Sequence, residues 1–330
     1  MLAVIDVGIL LTRPKKLKLG IVSFTIMVLC AISGVFGQHL YQQPKTPMKK
    51  SHLDKIIGEF QVEEPKEELK IVWVYGYDEH HIAGAHDYVK VKDLMVDLLS
   101  KSPKTKVEEA FGFPTERQLQ NADLVAMYLH LPQLKKKQFR ALKAFVEKGG
   151  GLISLHETVI MRPRVKGKKL AECLGFAWKE GTSKWGAIFD SISIDNKHPI
   201  FMGFQNKMTI PDEFYWDLYQ EDNVNILGTV RTGPEEDSSG PIPPSQLSEK
   251  ASPLFWTYEI GKGKVFGTST GHHTFTYYDP EFRIVLFRAM AWVANQHPNR
   301  FVPLVFEGIT NNGMVGITDD LRGWDGKIRE

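Results

Sequence analysis

The segment GGGLISLHE, Gly149 to Glu157, constrains this chain more than any other. Three glycines after an amphipathic helix permit a left-handed helix stop and a tight turn into a strand. Gly150 or Gly151 is expected to resist substitution, at more than ~1 kcal/mol for alanine if either takes positive φ. Leu152, Ile153 and Leu155 then read as a short run buried on both faces, as in a central parallel strand. The run ends on His156 and Glu157. In open α/β sheets ligands bind at the carboxyl ends of the strands, so a titratable pair placed there is a candidate site.

The flanking sequence extends this reading. KIVWVYG (Lys70 to Gly76) and LVAMYLH (Leu124 to His130) are apolar, β-branched strands. Asp87 to Leu99, Lys135 to Lys148 and Lys168 to Leu174 carry apolar residues at helical spacing. Strands alternating with helices predict an α/β fold: three layers, α/β/α, around a mostly parallel central sheet. From Ala187 the pattern changes: Ser191 to Asp195 alternates as a half-exposed strand, NVNILGTV, PLFWTYEI and KVFGTST read as further strands with a hairpin turn at GKGK (Gly261 to Lys264), and antiparallel additions to the sheet are expected in this C-terminal half. Pro234 to Lys250, rich in Pro, Ser, Gly and Glu, reads as a flap.

The ends read differently. Arg13, Lys15, Lys16 and Lys18 precede an apolar stretch from Leu19 to Gly37, with small residues before Gln38. This is the pattern of a secretory signal peptide, or of an uncleaved membrane anchor. Residues 38–69 read as a polar linker with a short helix in SHLDKIIGEF, 70–297 as the main domain, and 298–330 as a glycine-rich tail of unassigned role. Outside the leader Cys173 is the sole cysteine, so no intrachain disulfide forms there; it reads as a core residue. The 41 basic and 39 acidic residues leave a formal charge of +2, with no single-sign field to attract nucleic acid.

Histidines recur where strands end. His80 and His81 follow the first strand, His130 ends the second, His156 the third, and His272 and His273 follow the late hairpin. Adjacent strands lie about 5 Å apart, so these side chains can converge. Imidazoles move protons near neutrality or bind metals. PDEFYW adds the carboxylates of Asp212 and Glu213 and the aromatic groups of Tyr215 and Trp216, suited to a polyhydroxylated substrate. His130, His156, Glu213 and His272 are the expected ligands if a divalent metal, zinc by this donor chemistry, is bound. Phosphate-binding glycine loops are absent.

Two further segments carry a family resemblance. PDEFYW (Pro211 to Trp216) and SPLFWTYEIGKGKVFGTSTGHH (Ser252 to His273) follow GGGLISLHE in the order and spacing of ThuA-like proteins. HPI (His198 to Ile200) and the closing YYDPEFRIVLFRAMAWVAN add to it, and the similarity runs from about Lys70 to Asn295. That family is named for trehalose utilisation. The resemblance implies a flavodoxin-like, class I glutamine amidotransferase-like fold and a role in carbohydrate utilisation. The amidotransferase cysteine is not here: its turn carries His156. Carried over residue by residue, the family pattern implies site roles for His156, Glu213 and His272 as catalytic groups. It aligns His81, less closely His80, with the histidine after the first strand, and His130 with one present in some members. Asp212, Tyr215, Trp216 and His273 are expected to bind substrate. The chain departs from the family after the strand histidine, with Glu157-Thr158 and a basic MRPRVKGKK containing Arg162 and Arg164, which either favour an acidic substrate or are solvated surface.

The expectation is an exported or anchored protein acting on a saccharide or keto-sugar by acid/base chemistry, metal-assisted or not. A non-catalytic carbohydrate-binding protein or a scaffold is the alternative.

Overall fold

A computed structural model describes residues 44–58, 64–76, 84–130, 134–160, 166–233 and 238–316. The leader, His80, His81, Arg162 and Arg164 lie outside them.

The helices and strands follow from local sequence. α1 is Lys50–Ile57, β1 Leu69–Tyr75 and α2 Tyr88–Ser100. β2 is Thr105–Phe111, α3 Glu116–Asn121, β3 Leu124–Tyr128 and α4 Lys136–Glu147. β4 is Gly151–Leu155 and α5 Gly167–Leu174. Next come β5 Lys184–Ile188, β6 Ser191–Ile194, β7 Lys207–Thr209 and β8 Asp212–Trp216. β9 is Asn225–Arg231, β10 Ser238–Pro241, β11 Ala251–Ile260, β12 Gly263–Thr268 and α6 Pro280–Val293.

The nine-stranded central sheet runs β2-β1-β3-β4-β12-β11-β9-β6-β7. Its first five strands are parallel, and β11, β9, β6 and β7 add on antiparallel. The expected α/β architecture with antiparallel additions is therefore the observed one. Strand side chains alternate between two cores. Ile71 and Trp73 face one core with α2 and α6; Val72 and Val74 face the other with α4 and α5. Both faces of the parallel strands are covered, which makes three layers. Helix α6 is buried almost all round, with Asp279 capping it by accepting from Phe282 N–H at 3.0 Å. Truncating its fully buried Phe287 to alanine costs about 3–5 kcal/mol.

The strand Thr105–Phe111 and the helix Glu116–Asn121 are absent from the sequence reading. This strand is a half-exposed edge with Glu108 and Glu109 in it, so it lacks an apolar run. The short helix does carry a signal: Thr115 and Gln118 form a capping box.

The glycine turn is corrected in detail. Positive φ falls on Gly149 (118°), not on Gly150 or Gly151. Those two are required by space. A Cβ on Gly150 would run into the ring of Phe145, and one on Gly151 would sit 2.7 Å from the carbonyl oxygen of Val293.

The segment read as a linker contributes buried side chains. Leu53, Ile56 and Ile57 of α1 join the core, and Met48–Lys49 pairs with Met314–Val315 of the tail. Lys45 forms ion pairs with Asp279 (2.9 Å) and Glu281 (2.6 Å). Buried Arg288 donates to the carbonyls of Met202 and Ile56. Within the stretch read as a flap, Ser238–Pro241 is strand β10, laid parallel to β5.

Candidate functional site

The carboxyl ends of β1, β3, β4 and β12 lie side by side, and the order in which the chain adds strands reverses between β1 and β3. β4 ends in a sharp turn because His156 adopts a left-handed backbone, φ 49°. That conformation costs a non-glycine residue of order 1–2 kcal/mol. His86, in the loop after β1, does the same at φ 53°. Its loop is stitched to the one after β12: His86 N–H donates to His272 O (2.9 Å) and Thr274 N–H to Gly84 O (2.8 Å).

A small sheet, β8-β5-β10, supplies the other side. Alternation along β8 sends Glu213 and Tyr215 to the site and Phe214 and Trp216 to the core on the opposite face. Asp212 also turns away from Glu213. Its carboxylate accepts from Gly271 N–H (2.8 Å), His273 N–H (3.2 Å) and the Thr276 hydroxyl (2.9 Å). It thereby fixes the loop that presents His272.

Four potential ligand atoms converge. Donor atoms of His86, His156, Glu213 and His272 all lie within 4.8 Å of one another. His86 Nε2 is 3.0 Å from His156 Nε2 and 3.0 Å from His272 Nδ1. Glu213 Oε1 is 3.5 Å from His272 Nδ1 and 3.8 Å from His156 Nε2. A tetrahedral zinc ion with bonds of about 2.0–2.1 Å has ligand–ligand edges of about 3.3 Å, in the middle of this range. The tautomer of His156 suits a ligand too. Its Nδ1 is 2.7 Å from the carbonyl of Ser269, which can only accept, so Nδ1 carries the proton and Nε2 keeps its lone pair. The Tyr215 hydroxyl lies 2.8 Å from the same Nε2. Three polar groups thus crowd one lone pair, an arrangement a cation relieves. The residues fit a divalent transition metal.

Electrostatics agree. Burial, helped by the neighbouring His86, lowers the His156 pKa to about 3, so the ring is neutral. Burial raises Glu213 to about 8, and the nearby Glu157 and Asp212 add to this. Burial likewise raises Asp212 to about 7 despite its donors. Glu157 falls to about 2 despite burial, because His130, His86 and His156 surround it.

Several expected residues change place. His130 is outside the ligand set; its Nδ1 lies 3.1 Å from Glu157 Oε2. Glu157 also accepts from the Tyr88 hydroxyl and sits 3.9 Å from His86 Nε2. His86, also in the loop after β1, is the histidine that the described residues bring to the ligand set; His81 lies outside the described residues. The sequence signal was available: His86 also lies in the loop after β1, immediately before the Asp87 cap position of α2. Trp216 is 3 % exposed in the core and presents no stacking surface. Half-buried Trp178 meets Tyr215 edge-on, and half-buried Trp185 pairs with it across the small sheet. His273 sits beside His272 with its ring stacked on Phe275, centroids 4.6 Å apart. Cys173 is buried and its thiol is pushed up to about 12, as befits an inert core residue.

Comparison with known proteins follows the same line. A family profile described as "ThuA: Trehalose utilisation" matches residues 74–293. A ThuA-like protein from Bacteroides uniformis has a similar structure at 15 % identity and TM-score 0.55, covering 73 % of this chain and 99 % of that one. Another from Parabacteroides merdae, at 16 % identity and TM-score 0.55, covers 79 % and 99 %. At these identities the likeness is one of fold. No curated protein matches the chain.

Proposed function

The chain belongs to the ThuA (trehalose utilisation) family, and on that premise we propose that it is a metal-assisted enzyme acting on a saccharide or its keto derivative by proton transfer. The observation that carries the reading is the convergence of His86, His156, Glu213 and His272 within 4.8 Å at the carboxyl edge of the sheet. These four side chains would hold a divalent cation, which supplies Lewis-acid polarisation of a sugar carbonyl or hydroxyl.

The remaining chemistry belongs to the chain. His156, locked by Ser269, offers a fixed lone pair. Tyr215 adds a hydroxyl to the ligand set, 2.8 Å from His156 Nε2, as the partner for a sugar oxygen. His130, 28 % exposed, is the group that exchanges a proton with substrate. Glu157 holds its Nδ1–H and stabilises the imidazolium that results. A purely carbohydrate-binding protein has no use for three imidazoles, two of them buried, and a carboxyl group facing one point. We also propose export, supported by the basic cluster and apolar stretch before Gln38; an anchored form is the alternative. Among the described residues no helix is long and apolar enough to cross a membrane.

The test is metal content and turnover together. The full chain should bind about one equivalent of zinc or cobalt. It should convert trehalose, or trehalose oxidised to a ring ketone, and lose turnover with a chelator. Failure to bind either metal at micromolar concentration would sink the metal centre. Metal binding without conversion of any saccharide would sink the enzymatic reading.

A further inference from the structure

Ser269 sets two side chains against each other. Its carbonyl lies 2.7 Å from His156 Nδ1, and its hydroxyl accepts the backbone N–H of Tyr215 at 3.2 Å. The rings of Tyr215 and His156 lie one on the other, centroids 4.7 Å apart and planes at 25°. Trp178 braces the tyrosine edge-on at 5.6 Å. Tyr215 is buried, so its oxygen is held in place 2.8 Å from His156 Nε2.

The direction of that bond follows from the tautomer. Ser269 keeps the imidazole proton on Nδ1, so Nε2 offers only a lone pair and the Tyr215 hydroxyl is the donor. Burial pushes the phenol well above its ordinary range, so it keeps the proton it donates. His86 Nε2 lies 3.0 Å from the same lone pair, but it is also 3.0 Å from His272 Nδ1, and a neutral ring has at most one proton there to share. Tyr215 is thus the dedicated donor to the atom through which His156 would hold a cation. One lone pair cannot serve both. A phenol proton turns about its C–O bond while the ring stays still, so the hydroxyl can change partner inside fixed surroundings. Left without an acceptor in a buried place, it would oppose metal binding. A substrate oxygen at the ligand set supplies that acceptor.

We propose that Tyr215 is a partner-switching donor: its hydroxyl occupies the His156 Nε2 lone pair in the metal-free protein and turns to a substrate oxygen when that lone pair is given to a divalent cation, so that metal binds first and sugar second. This rests on the metal and saccharide reading given above. Metal and sugar then bind cooperatively, and each strengthens the other by the same factor.

Zinc affinity of the full chain, measured by competition with a chromogenic chelator in the absence of sugar, tests the switch. Tyr215→Phe keeps the ring and removes the competing proton, so zinc should bind about three- to tenfold more tightly than in wild type. Tyr128→Phe is the control. Its hydroxyl serves the Gly271 carbonyl at 2.7 Å, not a ligand atom, and its loss should not tighten zinc binding. By calorimetry, zinc-loaded Tyr215→Phe should bind trehalose or its ring ketone about tenfold more weakly than zinc-loaded wild type. If wild type binds zinc and Tyr215→Phe binds it no more tightly, the switch is wrong and the metal site stands. Equal tightening in Tyr128→Phe would also overturn it, as would undiminished sugar binding by zinc-loaded Tyr215→Phe or equal sugar affinity of wild type with and without zinc. No sugar binding by zinc-loaded wild type would sink the saccharide reading and the second half of the switch with it. Absence of zinc binding by wild type would overturn both readings.

Discussion

Asp212 and Gly271 lie 59 residues apart in the chain, yet the Asp212 carboxylate accepts the Gly271 N–H at 2.8 Å. Gly271 in turn has φ 125°, and its carbonyl accepts from the Tyr128 hydroxyl at 2.7 Å. A Cβ at Gly271 would meet the Tyr277 hydroxyl at 2.6 Å. This knot ties β8, β3 and the loop after β12 together one residue before His272.

Removing the carboxylate should therefore act on the site from behind. Asp212→Ala leaves the N–H groups of Gly271 and His273 and the Thr276 hydroxyl without that acceptor, at about 1–3 kcal/mol each. We expect a loss of at least about 3 kcal/mol by chemical denaturation, and weaker zinc binding because His272 is no longer held. Unchanged stability would show that the carboxylate does not organise the loop.

The ligand set itself is tested by contrast between two histidines. His86→Ala should weaken zinc binding by more than about a hundredfold, beyond the 10–100-fold typical for groups that only orient ligands. His130→Ala should change zinc affinity less than about threefold while removing turnover. The opposite ranking, measured by competition with a chromogenic chelator, would restore His130 as the ligand.

Much of this arrangement was legible in the sequence, for a physical reason. The strand ending at His156 announces itself through its glycines and its fully buried run. PDEFYW and TSTGHH mark Glu213 and His272 by position. What failed was what local pattern does not encode. Trp216 was expected on the site because it neighbours Glu213 and Tyr215, but the two-residue period of a strand turns it to the other face. His86 was missed because it is brought to the site by a loop-to-loop contact between Gly84–His86 and His272–Thr274, which only the fold brings about. The places of Trp185 and Trp178 were invisible for the same reason: the first follows from the pairing of β8 with β5, the second from the bond of Trp178 N–H to the Val159 carbonyl.

Metal binding should depend on pH with a definite sign. In the metal-free protein Glu213 is raised to about 8, so near neutrality it holds a proton that a cation must expel. Zinc affinity should thus rise about tenfold per pH unit between 6 and 8 and level off above. The same group contributes stability fully below its unfolded value of 4.5 and loses that contribution as pH rises through about 8. His156, lowered from 6.5 to about 3, contributes stability above 6.5 that is lost as pH falls through 3. The metal-free protein should therefore lose stability on both sides, and zinc should protect most on the alkaline side. Calorimetry across this range gives the slope; an affinity that does not vary with pH would contradict the assignment of Glu213.

The glycine triplet yields the last expectation, because its three members are required for different reasons. Gly149 has a left-handed backbone and open surroundings, with Lys262 Cβ 3.7 Å from where its own Cβ would lie. Alanine there meets only the backbone cost, about 1 kcal/mol. Gly150 lies under the ring of Phe145, a side chain that can swing away, so Gly150→Ala should cost about 1–3 kcal/mol by overpacking. Gly151 faces the carbonyl of Val293 at 2.7 Å, backbone of helix α6 that cannot yield without moving the helix. Gly151→Ala should be the most damaging of the three and the only one to shift β4, and with it His156. Melting temperatures should fall in the order Gly149→Ala, Gly150→Ala, Gly151→Ala, with zinc affinity reduced only in the last. Equal melting temperatures for all three would mean that conformational freedom, not space, is what the turn demands.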